Sequence, residues 1–142
     1  MTYPDAPTTL TEVVSARAAD SITFTWVDGQ SNNGATVTSY RVSMSQGSGT
    51  YSVLDSNVLV KQFKATGLTA GLTYNFKVEA LNKFGYSDFS SSKSILCATS
   101  PSKLASAPTT SVSTSFVTID WETPTLNGLP ITSYSIFIRK GD

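Results

Sequence analysis

Gly67-Leu68-Thr69-Ala70-Gly71-Leu72-Thr73-Tyr74-Asn75-Phe76-Lys77-Val78-Glu79-Ala80-Leu81-Asn82 reads as a tight turn feeding a long β-strand. Tyr74, Phe76, Val78 and Ala80 share one parity and Asn75, Lys77 and Glu79 the other, the period-2 alternation of a strand with one buried face. A helix would mix the two sets. Downstream, Lys83-Phe84-Gly85-Tyr86 makes a loop and Phe89 to Ala98 a closing strand. Upstream, Ile22, Phe24 and Trp26 alternate with Thr23 and Thr25, and Tyr40, Val42 and Met44 share the inner face of a strand over 37–44. A short edge strand is expected at Tyr51 to Leu54, a turn at Asp55-Ser56-Asn57, and a strand from Leu59 to Ala65 with Phe63 and Ala65 inward. Pro7-Thr8-Thr9-Leu10 begins the first strand, of the edge type that tolerates a proline.

The spacing of Leu68, Gly71 and Tyr74 suits a tyrosine whose ring is buried while its hydroxyl bonds back to nearby backbone, the tyrosine corner of β-sandwiches. With Asn82 and Gly85 after it and Trp26 and Tyr40 before it, the pattern resembles a fibronectin type III domain across residues 4–99. The resemblance implies an all-β, immunoglobulin-like sandwich with Trp26, Tyr40, Leu68, Tyr74 and Phe76 in its core. The pattern departs from a true immunoglobulin domain, which would carry cysteines on the facing strands where Phe24 and Phe76 stand.

Past Pro101 the pattern restarts. Val117-Thr118-Ile119-Asp120-Trp121 repeats Ile22-Thr23-Phe24-Thr25-Trp26, and Ile131-Thr132-Ser133-Tyr134-Ser135-Ile136 repeats Val37-Thr38-Ser39-Tyr40-Arg41-Val42. This is the signature of a tandem module. The expected division is a complete domain over 1–99 and a partial second copy over 100–142 holding strands A, B and C, with Trp121 and Tyr134 as its core positions. Val117, Ile119, Trp121, Ile131, Tyr134, Ile136 and Ile138 would form one apolar face with little opposite it. Leaving those side chains wet forfeits about 1.5–3 kcal/mol each, so this segment should not fold by itself.

Composition narrows the function classes. Ten basic residues balance ten acidic ones, which gives no electrostatic footprint for nucleic acid or an anionic membrane surface. Charged residues are only 14%, while Ser and Thr supply roughly three residues in ten. Such a hydroxyl-rich surface is common in extracellular and cell-surface modules, with a cytoplasmic assembly as the alternative. Cys97 is the single cysteine, so no intrachain disulfide forms, and it reads as a small buried residue on the last strand. No apolar run reaches the ~18 residues of a membrane-spanning helix.

Catalysis is not expected. The chain has no histidine, and no carboxylate pair or serine with a base replaces it. The loop containing Asp28-Gly29 and Asn32-Asn33-Gly34 has too few carboxylates for calcium and reads as a turn, so neither metal nor cofactor is expected. Lys140-Gly141-Asp142 resembles tripeptides read by integrins, but it falls after the second strand C rather than between F and G, and reads as a turn. The aromatic residues without a clear place in the core, Tyr51, Phe84 and Tyr86, mark the expected interaction surface. The family resemblance implies a non-catalytic spacer and protein-interaction module of a longer repeat protein, cell adhesion among its roles. Alternatives are a self-assembling subunit whose second sandwich is completed by another chain, and an accessory carbohydrate-binding or linker module of a larger enzyme.

Overall fold

The computed structural model describes residues 2–139; the Lys140-Gly141-Asp142 tripeptide lies outside them. Strands β1 (Thr8–Glu12), β2 (Ser21–Val27) and β5 (Gln62–Thr66) form one antiparallel sheet in the order β1-β2-β5. The facing sheet runs β4 (Ser52–Val58), β3 (Ser39–Gln46), β6 (Thr73–Asn82), with the two-residue β7 (Gly85–Tyr86) and then β8 (Lys93–Leu96) on the far side of β6. A single 3-10 turn at Val14–Ala16 links β1 to β2.

The period-2 patterns explain why the sheets close on each other. Ile22, Phe24 and Trp26 from β2 meet Tyr74, Phe76, Val78 and Ala80 from β6, and all are buried. Phe24 and Phe76 lie ring to ring at 4.6 Å across the interface, and Trp26 meets Tyr40 edge-on at 5.3 Å. These are the tilted geometries that aromatic quadrupoles favour. Cys97 is fully buried, with its thiol 3.4 Å from the Ala19 carbonyl oxygen, and burial pushes that thiol's pKa up.

The tyrosine corner is present. The Thr69 N–H donates to the Tyr74 hydroxyl at 3.0 Å over a buried Leu68, fixing the entry to β6. Replacing Tyr74 with Phe keeps the ring but strands that N–H, so unfolding free energy should fall by about 1–2 kcal/mol. A urea midpoint identical to the parent would remove the corner from the account.

Two expectations for this region need correcting. Asp55, Ser56 and Asn57 are not a turn but part of β4, which runs on to Val58. The turn instead falls at Leu59 and Val60, which are exposed, so the next strand starts at Gln62 rather than Leu59. An edge strand hydrogen-bonded on one side needs no apolar alternation, and β3 supplies its pairing through two register irregularities between Tyr40 and Ser43.

In the segment expected to be a partial second copy, β9 (Thr109–Val112) pairs with β10 (Val117–Asp120). The hairpin is tighter than that of the first copy: Ile119 opposes Thr110, nine positions before it, whereas its counterpart Phe24 opposes Glu12, twelve positions before it. No strand forms over 129–139, where a strand C was expected. In the first copy strand C (β3) is paired along its length with β6, and the described residues after Asp120 include no such partner. Trp121 and Tyr134 keep the ring separation of their counterparts, 5.3 Å, but Trp121 is half-buried and Tyr134 exposed. They are therefore not enclosed in a core, because among the described residues no facing sheet covers them.

Candidate interaction surface

The outer face of the β4-β3-β6-β7 sheet gathers chemistry that the alternation pattern had assigned simply to solvent. On β3 and β6, Arg41 stands opposite Glu79, and the guanidinium makes two charge-assisted hydrogen bonds to the carboxylate at 2.6 and 2.7 Å. The same guanidinium lies 3.9 Å from the centre of the Tyr86 ring, and the Tyr86 hydroxyl donates to the Ser56 carbonyl at 3.4 Å. Beside this group, the Lys77 ammonium sits 4.5 Å from the Tyr51 ring and 5.5 Å from Phe89. The Tyr51 hydroxyl is fixed to Ser92 at 2.7 Å. Two cations on the central strands β3 and β6 thus stand within cation–π range of three rings at the margins of the sheet.

Of the residues expected to form an interaction surface, Tyr51 and Tyr86 lie on this sheet, Tyr51 on the rim before β4 and Tyr86 in β7. Phe84 does not join them. It lies at the β6–β7 turn, where its N–H donates to the Asn82 side-chain oxygen at 2.8 Å and the Lys83 ammonium is 5.1 Å from its ring. Arg41, Lys77, Glu79 and Phe89 complete the surface and were not among the expected site residues. Their signal was parity: 41, 77 and 79 are outward positions of paired strands. Trp26, Tyr40 and Tyr74 face inward and are buried, which removes them from any exposed aromatic platform.

The Asp28 loop is occupied by protein groups. The Asp28 carboxylate accepts a hydrogen bond from the Tyr40 hydroxyl and one from the Lys61 ammonium at 2.9 Å. Burial acts to raise the Asp28 pKa, but these two donors outweigh it and hold the carboxyl below its usual range. At the other end of the sheet, Arg17 grips Glu12 at 2.7 and 2.8 Å and likewise lowers its pKa, its hydrogen bonds outweighing partial burial. Among the described residues no group of three His, Cys, Asp or Glu comes together to hold a metal ion.

Both carboxyls have folded pKa values below their unfolded ones. The stability they contribute is therefore present above the unfolded values and lost as pH falls through the lower, folded values. Melting temperature should stay level down to about pH 5 and drop as the solution is taken below pH 4. Asp28→Asn should flatten part of that drop, and an acid profile unchanged by the substitution would count against the pairing.

The family model described as Fibronectin type III domain matches residues 5–95. A multi-domain segment of titin superposes with a TM-score of 0.61 at 25% identity, covering 67% of this chain and 32% of that one. A titin module from human cardiac muscle gives 0.54 at 28%, covering 68% of this chain and 92% of the module. An Fn3-like protein of Clostridium thermocellum gives 0.52 at 24%, covering 66% and 92%. The chain spans only 32% of the titin segment, but the family match extends over most of the sandwich from before β1 into β8. The chain belongs to the fibronectin type III family.

Proposed function

We propose that this chain is a non-catalytic spacer and protein-interaction module of a longer fibronectin type III repeat protein. The observation that carries the reading is the repetition of one structural unit within the chain. Val117-Thr118-Ile119-Asp120-Trp121 and Thr132-Ser133-Tyr134 repeat Ile22-Thr23-Phe24-Thr25-Trp26 and Thr38-Ser39-Tyr40, and the Trp121–Tyr134 ring pair copies Trp26–Tyr40 at 5.3 Å. A chain that restarts its module sets distance along an axis and presents sheet faces and loops at fixed intervals. The Arg41, Tyr86, Lys77 and Tyr51 face is the surface such a module would offer a protein partner, with aromatic anchors and paired charges on rigid strands. The hydroxyl-rich, lightly charged exterior supports a surface-exposed or extracellular setting for the parent protein.

A second reading is favoured by the open face of the second copy, where Leu104, Val117, Ile119, Trp121, Tyr134 and Ile136 line an apolar hollow of ≈ 470 Å³. Another copy of the chain, applying the same face, would cover it and turn the spacer into an assembling subunit. Light scattering across a concentration series separates the two. A constant monomer mass supports the spacer, and a mass that doubles with concentration supports assembly.

A further inference from the structure

The second copy is seated on the first. Its Asn127-Gly128 turn is left-handed at both residues, with φ of 52° and 106°. A Cβ added to Gly128 would lie 2.8 Å from the Gly71 nitrogen, 2.9 Å from the Cys97 carbonyl oxygen and 3.0 Å from the Ala98 Cβ. Only glycine allows the backbone to come so close. Next to this contact, Val14, Arg17, Leu129 and Pro130 line a cleft of ≈ 690 Å³ between the two copies. The linker is clasped as it passes. The Thr99 N–H donates to the Asn127 carbonyl at 3.1 Å and the Ser102 N–H to the Thr125 carbonyl at 3.0 Å. The Thr125 N–H donates to the Ser102 hydroxyl at 3.0 Å, and the Asn127 side-chain amide to the Ser100 carbonyl at 2.9 Å.

The opposite pole of the first copy carries the same clasp, position for position. The Thr2 N–H donates to the Asn33 carbonyl at 3.4 Å and the Asp5 N–H to the Ser31 carbonyl at 2.9 Å. The Ser31 N–H donates to the Asp5 carboxylate at 3.0 Å, and the Asn33 side-chain amide to the Tyr3 carbonyl at 2.9 Å. Asn33 and Gly34 are left-handed in the same way, with φ of 54° and 83°. The clasp accounts for the asparagine in both copies. In the second copy the glycine beside it is where the preceding module's backbone makes contact, and in the first copy that glycine is exposed.

We propose that the Asn33-Gly34 pole of the first copy is a docking surface for the Gly71 turn and the Cys97-Ala98 end of another copy of this module. The joint between the two copies then repeats head to tail. The proposal rests on the array reading above and adds its geometry: successive modules meet at a fixed orientation set by glycine against glycine. The contact is small, so its occupant arrives through the chain, where a short linker supplies an effective concentration in the millimolar range, rather than from solution.

The test joins a second copy of residues 1–98, through Ala98, to Thr2 of the full chain, and compares amide hydrogen exchange at Asn33 and Gly34 with that in the parent chain. Exchange about tenfold slower in the joined protein, with both complete modules aligning as one body in residual dipolar couplings, is expected. Gly34→Val should abolish the slowing in the joined protein. Backbone strain from valine is common to both proteins, so the difference between them reads the contact alone. Unchanged exchange and independently tumbling modules would overturn the joint while leaving a flexible array intact. In the parent chain itself, Gly128→Val should speed trypsin cleavage after Lys103 by about tenfold, and an unaltered rate would also overturn the proposal.

Discussion

Phe76→Ala lowers the unfolding free energy of the sandwich by about 3–5 kcal/mol. Phe76 is fully buried at the middle of β6 and stacks on Phe24 at 4.6 Å, so truncation empties space that both sheets line and neither can collapse to fill. Phe137, at 93% exposure, is the control: its truncation should change stability by less than about 0.5 kcal/mol, although both residues are phenylalanines. Urea unfolding followed by tryptophan fluorescence measures both. Comparable shifts for the two variants would mean that the core extends into the second copy.

Arg41→Ala should cost about 3 kcal/mol, more than a surface ion pair could. The Glu79 side chain is only 6% exposed and its carboxylate takes both hydrogen bonds from Arg41, so the variant leaves a buried charge without its donor. Arg41 also covers the Tyr86 ring, and its removal loosens β7 against β6. The double variant Arg41→Ala/Glu79→Ala should recover part of the loss, because no unpaired charge then remains. A double variant less stable than Arg41→Ala by the full cost of Glu79→Ala would show that the two residues act independently.

The parts of the fold that were legible in the sequence are those where burial imposes a period. Strands β2 and β6 each bury one face, and the alternation at Ile22, Phe24, Trp26 and at Tyr74, Phe76, Val78, Ala80 is its direct record. The tyrosine corner was legible because its geometry fixes the spacing of Leu68, Gly71 and Tyr74. The start of β4 was expected at Tyr51 to Leu54, but its second half was not, since an exposed edge accepts Asp55, Ser56 and Asn57 as readily as a turn does. Alternation also misled at Ser43 and Glu79, which point outward yet are buried. Parity assigns a face, but only neighbouring side chains such as Arg41 and Tyr86 decide whether that face is wet. The joint lay beyond any local pattern: Gly71 and Gly128 meet only once the two copies are placed.

Native-state amide hydrogen exchange across the whole chain tests the central claim most directly, that one complete sandwich supplies the stability and the second copy merely follows it. The amides of β2, β3 and β6 should exchange only through global unfolding, and those of β9 and β10 should exchange far faster, through local opening. Equal protection of β9, β10 and β6 in a monomeric sample would contradict the account, because the second copy would then possess a core of its own.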